Sequence, residues 1–350
     1  SLKGILGLIK YILLSIILYL WLQNDEKNIK FFLFSVLFLV LFVSLSVFIE
    51  FFYLNFISST HKSGNLHYTR ISGVFFDEKI AGSYISKLLC IVLIFFSLDL
   101  KKLKLNKFKI SFFIIISYFA IIISLDRMPI IMISLGLFIF LIFTNKLKFY
   151  FKVNTLLSSL ILFFIIYIFS PSLQLKVIYT FKQVGLNEFS KLINKKNYFE
   201  NFQGNQNFFQ TKWGSHFITA YEMGKNSLLV GNGIKTFRKD CGKKDFESET
   251  FNQGSKLKRC STHPHNIYFE LFAETGIIGL FIFLYFHFLI IRKIILTKND
   301  NNKLVSICML FVLFFPIQTT GSYFSTFNGI YYFLNLSLIA YICDRKKFTK

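Results

Sequence analysis

FFLFSVLFLVLFVSLSVFIEFFYLNFI, residues 31–57, holds one charged side chain, Glu50, in an otherwise apolar run. A surface helix of a soluble protein would interrupt such a run with a polar stripe every turn. This one is instead longer than the ~20 residues that a helix needs to cross a ~30 Å hydrocarbon core. Working outward, comparable runs occur along the chain. They predict nine spans, at about 4–22, 31–57, 80–98, 110–125, 128–144, 155–170, 270–291, 303–320 and 326–343. Composition agrees: 54% of the 350 residues are hydrophobic, 48 are Phe, and the mean hydropathy is +0.54. Charged residues make up 17%, against roughly a quarter in ordinary globular chains. A soluble enzyme, a disordered chain and a disulfide scaffold are excluded. The expected fold is an all-α polytopic membrane protein. Residues 1–170 would form an N-terminal bundle of six spans, 171–269 one large external loop, and 270–350 a C-terminal bundle of three spans.

Short basic loops orient such a chain, because Lys and Arg are retained in the cytoplasm. Lys101 to Lys109 holds five Lys in nine residues. Lys146, Lys148 and Lys152, then Arg292, Lys293, Lys298 and Lys303, then the tail Arg345-Lys346-Lys347, are also basic. With nine spans all four stretches fall on one side, the expected cytoplasmic side. The other side receives 58–79, the Asp126-Arg127 turn, the 171–269 loop and the Thr320–Ser325 turn. Ser1 then lies outside, so a cytoplasmic N-terminus would require an odd number of preceding spans. No cleavable signal pattern precedes the first run.

Between Pro171 and Thr262 there are 15 Lys/Arg and seven Asp/Glu. A long loop translocates largely regardless of charge. Its excess would attract an anionic substrate, although a Lys- and Asn-rich composition also produces it. Cys90, Cys308 and Cys343 lie in spans and read as small apolar fillers. Cys241 and Cys260 are the two cysteines of the external loop, on the oxidising face if the membrane is a bacterial inner membrane, and are expected to pair. The closed loop of about 20 residues would be worth roughly 3 kcal/mol in the chain-entropy model.

That pair stands just before STHPHNIYFELFAETGIIGLFIF, residues 261–283, where the loop re-enters the membrane. Pro264 disfavours helix at the residue before it and can start one after it, which puts His263 in loop and His265 in a first helical turn. Glu270 and Glu274 share one helix face, at a depth where a carboxyl is costly unless it is used or paired. Gly276 and Gly279 offer a small-residue face that another helix can approach. A histidine at the membrane boundary can serve as general base or hydrogen-bond donor. The plainer readings are a metal pair, weakened by the lack of a convincing third ligand, and ordinary interfacial residues.

His265-Asn266, followed nine residues later by Gly276-x-x-Gly279, resembles the signature of the O-antigen ligase/O-antigen polymerase superfamily of bacterial glycosyltransferases. RISGVFFDEKIAGSYI (70–85), LDRMPIIMISLGL (125–137) and NSLLVGNGIKTF (226–237) resemble further family segments in the same order. The resemblance covers roughly residues 65–300. The family turn at Arg127 usually has a small hydroxyl residue where this chain has Asp126. Members typically have about twelve spans, so nine would fit the loss of three.

The resemblance implies a donor glycan linked to undecaprenyl pyrophosphate and an active site on the periplasmic face of the inner membrane. Neither nucleotide sugar, metal nor other cofactor is implied, and no nucleic acid. Pyrophosphate without a metal calls for guanidinium groups, which stay ionised and bind in bidentate fashion. Arg70 and Arg127 are the candidates, with Arg238 secondary; ion-pairing or snorkelling is the plainer reading of each. His265 would activate the acceptor hydroxyl, with inversion at the anomeric carbon. His263, Asn266, Glu274, Gly276 and Gly279 would shape the substrate site. A ligase would deliver the glycan to a lipid A-core acceptor, and a polymerase to another lipid-linked repeat; the motif spacing leans to ligase. A transporter or flippase is the alternative of another class. It is disfavoured because the polar residues collect on one face and no internal repeat is visible.

Overall fold

The computed structural model describes residues 2–54, 70–96, 98, 107–144, 147–169, 174, 212–246, 259–316 and 321–345. Much of the expected external loop, most of the 101–109 lysine stretch, Lys146, Lys346 and Lys347 lie outside the described residues. Among these residues the secondary structure is helical, without strands. The helices are α1 (Leu2–Asn24), α2 (Glu26–Phe52), α3 (Ala81–Val92), α4 (Lys107–Ile123), α5 (Arg127–Phe143), α6 (Phe149–Phe169), α7 (Lys212–Asn226), α8 (Phe237–Asp240), α9 (Ile267–Ile295), α10 (Asp300–Phe314) and α11 (Thr326–Asp344). Three of them, α2, α9 and α11, are long and apolar enough to cross a membrane. Shorter apolar helices occupy Ile9–Asn24, Ala81–Phe96, Lys109–Ile123 and Arg127–Phe143.

Local chemistry sets several boundaries. Asp25 separates α1 from α2, and its carboxylate accepts the Lys27 N–H at 2.8 Å, with Glu26 adding an acid to the first turn. Asn299 caps α10 by accepting from the N–H groups of Asn301 and Asn302.

The chain forms two compact units. One comprises 11–172, 289–315 and 330–350. At its centre is α3, continued by a 3-10 turn over Leu93–Phe96. Its side chains are buried on nearly every face, as expected for an apolar helix enclosed by others. It packs against α2, α4 and α5, while α10 packs against α3 and α5. Cys90 and Cys308 are buried here as apolar fillers.

The other unit comprises 1–10, 173–288 and 316–329. Its core joins Ala220 and Met223 of α7, Phe237 of α8, Cys241, Phe246 and Ala273 of α9, with Cys260 and Phe269 packed alongside. Cys241 and Cys260 form a disulfide with a Cα–Cα distance of 5.3 Å. The guanidinium of Arg259, next to that bridge, donates to the carbonyls of Gly242 and Lys243.

Candidate active site

The second unit holds the histidine segment. α9 begins at Ile267, later than Pro264 suggests, because Asn266 provides its cap. The Asn266 Oδ1 accepts the N–H of Tyr268 at 2.9 Å and of Phe269 at 3.2 Å, satisfying donors that the first helical turn leaves open. His265 therefore does not sit in the first turn, which corrects the sequence expectation. Its φ is 61°, a left-handed conformation that a right-handed helix excludes.

Three imidazoles gather there. The His265 ring centre lies 4.1 Å from that of His263 and 5.2 Å from that of His216, which projects from α7. His216 and His263 are buried, whereas His265 is half-buried and thus the more accessible. Ser261 Oγ donates to the His263 carbonyl at 2.5 Å and lies 3.4 Å from His265 Nε2. Thr262 Oγ1 lies 2.9 Å from His263 Nδ1. An imidazole among hydroxyls and further imidazoles is equipped to accept or pass a proton. Among the described residues, no three His, Cys, Asp or Glu side chains group as metal ligands. The KWGSHFITA stretch offers no local pattern to single out His216, which only tertiary packing brings to the site.

Beyond the histidines, α9 is broken at Gly276, with φ 67° and ψ −168°. What approaches closely is the Leu229–Gly231 backbone, not the neighbouring helix expected from the small-residue spacing. A Cβ on Gly276 would overlap Leu229 and Gly231 backbone atoms, and one on Gly231 would overlap the backbone of Glu274 to Gly276. Both glycines have positive φ, so each residue type is required twice over, by conformation and by space. A Cβ on Gly279 would instead meet the side chain of Thr275 on the same helix. The ladder interrupted by the break is completed from the 228–233 segment. Ile277 N–H donates to Leu228 O at 2.8 Å and Ile278 N–H to Leu229 O at 3.2 Å. Asn232 N–H donates to Ala273 O at 3.0 Å and Gly233 N–H to Glu274 O at 2.9 Å.

The two glutamates tie loops to α9. Both are buried. Glu270 Oε2 accepts the Tyr323 N–H at 3.0 Å. Glu274 accepts the N–H of Lys235 at 2.5 Å and of Phe237 at 3.1 Å, fixing the start of α8. Arg238, on α8, is exposed, and its charge acts on Glu274. The Gly231-x-Gly233 segment is thus held at both its backbone and its far end.

Arg70 and Arg127 belong to the first unit. Arg70 Nη2 lies 3.5 Å from Asp126 Oδ1, with Arg70 a quarter exposed and Asp126 buried. The ion pair gives Arg70 a structural role that spacing alone does not reveal. Ile71 N–H donates to Ser124 O at 3.3 Å, so the segment lies directly on the 124–126 turn. Glu50 accepts the N–H groups of Ser72 and Gly73 from the other side. Gly73 has φ 57°, and a Cβ there would meet Ser46 on α2, which explains the glycine three residues after Arg70. Asp126 precedes α5 in extended conformation, and Arg127 opens that helix half-exposed.

Long apolar helices, a buried polar cluster at the start of α9 and a helix broken against its own preceding loop define a multi-pass membrane protein with a candidate catalytic site. Residues 111–284 match the family model described as O-antigen ligase, placing this stretch in the O-antigen ligase/polymerase superfamily. The matched stretch contains Arg127, Arg238 and the entire histidine segment, while Arg70 precedes it. The family points to a glycosyltransferase-type enzyme with lipid-linked glycan and lipid-linked acceptor partners. No curated protein matches the chain significantly.

Proposed function

We propose that the protein is an O-antigen ligase-type enzyme of the bacterial inner membrane. It moves a glycan from undecaprenyl pyrophosphate to a lipid A-core acceptor on the periplasmic face. The acceptor hydroxyl attacks the anomeric carbon from the side opposite the pyrophosphate and gives its proton to His265. The new C–O bond forms as the bond to the pyrophosphate oxygen breaks, so configuration inverts and undecaprenyl pyrophosphate leaves. Arg238, in the same unit as His265, supplies positive charge for the pyrophosphate, and Arg127 and Arg70 are the candidates for that role in the other unit. His263 and His216 position the His265 ring, and Asn266 holds the backbone that presents it.

The observation that supports this reading is the half-buried His265 on left-handed backbone, set among two buried imidazoles within the O-antigen ligase match. The test resolves the lipopolysaccharide ladder beside the lipid-linked glycans in cells lacking the gene. A ligase leaves long lipid-linked polymers and bare lipid A-core. Lipid A-core capped by one repeat would identify a polymerase, and unchanged pools would contradict glycosyl transfer. His265→Ala, expressed to normal level, should lower transfer by about 10²–10⁴-fold, the usual contribution of general base catalysis. Transfer at the parent rate would remove His265 from the mechanism.

A further inference from the structure

The Leu228-Leu229-Val230 turn leaves three successive apolar side chains exposed, at 52%, 62% and 69% of their full surface. Its polar groups are consumed internally. The Asn232 side chain donates to the carbonyls of Met223 and Ala273, and Ser227 Oγ donates to Gly231 O. The turn therefore presents hydrocarbon outward and keeps its hydrogen bonding inward.

It is also bonded to an exposed apolar part of α9. Leu228 and Leu229 accept from Ile277 and Ile278, which are themselves exposed, and the same helix continues with the exposed Phe281 and Ile282. α9 has 29 residues broken at Gly276, and the continuous helix after the break, residues 277–295, runs about 28 Å at ~1.5 Å per residue. Arg292 and Lys293 mark its far end. The continuous helix between the break and Arg292, residues 277–291, spans only about 22 Å of a ~30 Å core, which puts the Gly276 break inside the apolar layer. Irregular backbone at that depth survives only when protein satisfies it, and the four hydrogen bonds across the break do so.

We infer that residues 228–230 form a re-entrant tip entering the hydrocarbon layer beside α9, with bilayer acyl chains covering Leu228, Leu229 and Val230. The inference rests on α9 being a membrane span and is independent of the reaction catalysed. A nitroxide at Leu229→Cys tests it, in the full chain reconstituted into phospholipid vesicles with Cys90, Cys308 and Cys343 replaced by Ala. Labels at Phe281→Cys and Lys239→Cys supply the lipid-facing and water-facing references. The 229 label should collide with dissolved oxygen far more than with a water-soluble nickel chelate, matching position 281. Relaxation by the nickel chelate closer to that at position 239 would overturn the inference. Val230→Cys, read by the same criterion, replaces Leu229→Cys if that variant does not fold.

Discussion

Asp126 and Glu274 are both buried acidic side chains, yet the first is met by the Arg70 guanidinium and the second by two peptide N–H groups. The difference separates two uses of a buried acid. A peptide N–H is fixed by the fold and asks only for an oxygen in the right place. A guanidinium is charged, sits on a long side chain and can exchange one anion for another. Glu274 is thus part of the architecture, fastening the 231–237 segment to α9. The Asp126–Arg70 pair instead places a half-buried cation against the 124–126 turn.

The largest expected effect comes from breaking the ion pair on its cationic side. Arg70→Ala leaves Asp126 without its guanidinium, a change that costs about 3–5 kcal/mol when a pair is fully buried. The partial exposure of Arg70 puts the expectation at the lower end. The thermal midpoint of the detergent-solubilised protein should fall, and the added Asp126→Ala change should restore most of it. Transfer activity still missing in that stable double variant would assign Arg70 to the donor. Restored activity would leave it a purely structural role.

Next in size is Glu274→Ala, which strands the Lys235 and Phe237 N–H groups and should cost about 1–3 kcal/mol. The smallest effect is expected of Glu274→Gln, whose single amide oxygen still accepts from one of the two N–H groups while its NH2 faces the other, with a loss of about 1 kcal/mol. If Gln proved as damaging as Ala in the same thermal measurement, keeping one of the two acceptors would count for nothing at Glu274, and the contrast with Asp126 would collapse.

The helices were legible because their signal is local. An apolar run of span length needs no partner to be recognised, and each predicted run overlaps a helix among the described residues, three of them long and apolar enough to cross a membrane. The histidine segment was legible as chemistry but not as geometry. Pro264 is a good helix start by its fixed φ, but Asn266 can cap and Pro264 cannot, so α9 starts later and His265 takes the left-handed turn. The stretch FAETGIIGL reads as continuous helix, since a lone glycine is tolerated there at modest cost. Its break depends on hydrogen bonds from a segment far earlier in the chain. His216 and the Arg70–Asp126 pair were hidden for the same reason: the partners are remote in sequence, and no periodicity links them.

The break in α9 also bears on how the protein is made. Most membrane helices carry their whole hydrogen-bond ladder with them and can enter the bilayer one at a time. α9 as folded does not carry its whole ladder, because Ile277 and Ile278 take their acceptors from Leu228 and Leu229. Those residues leave the ribosome first, so the turn that completes the helix is synthesised before the helix that needs it. The hydrogen bonding of α9 is consequently complete only once the earlier segment has folded against it, so a defect in that segment would surface in the later helix.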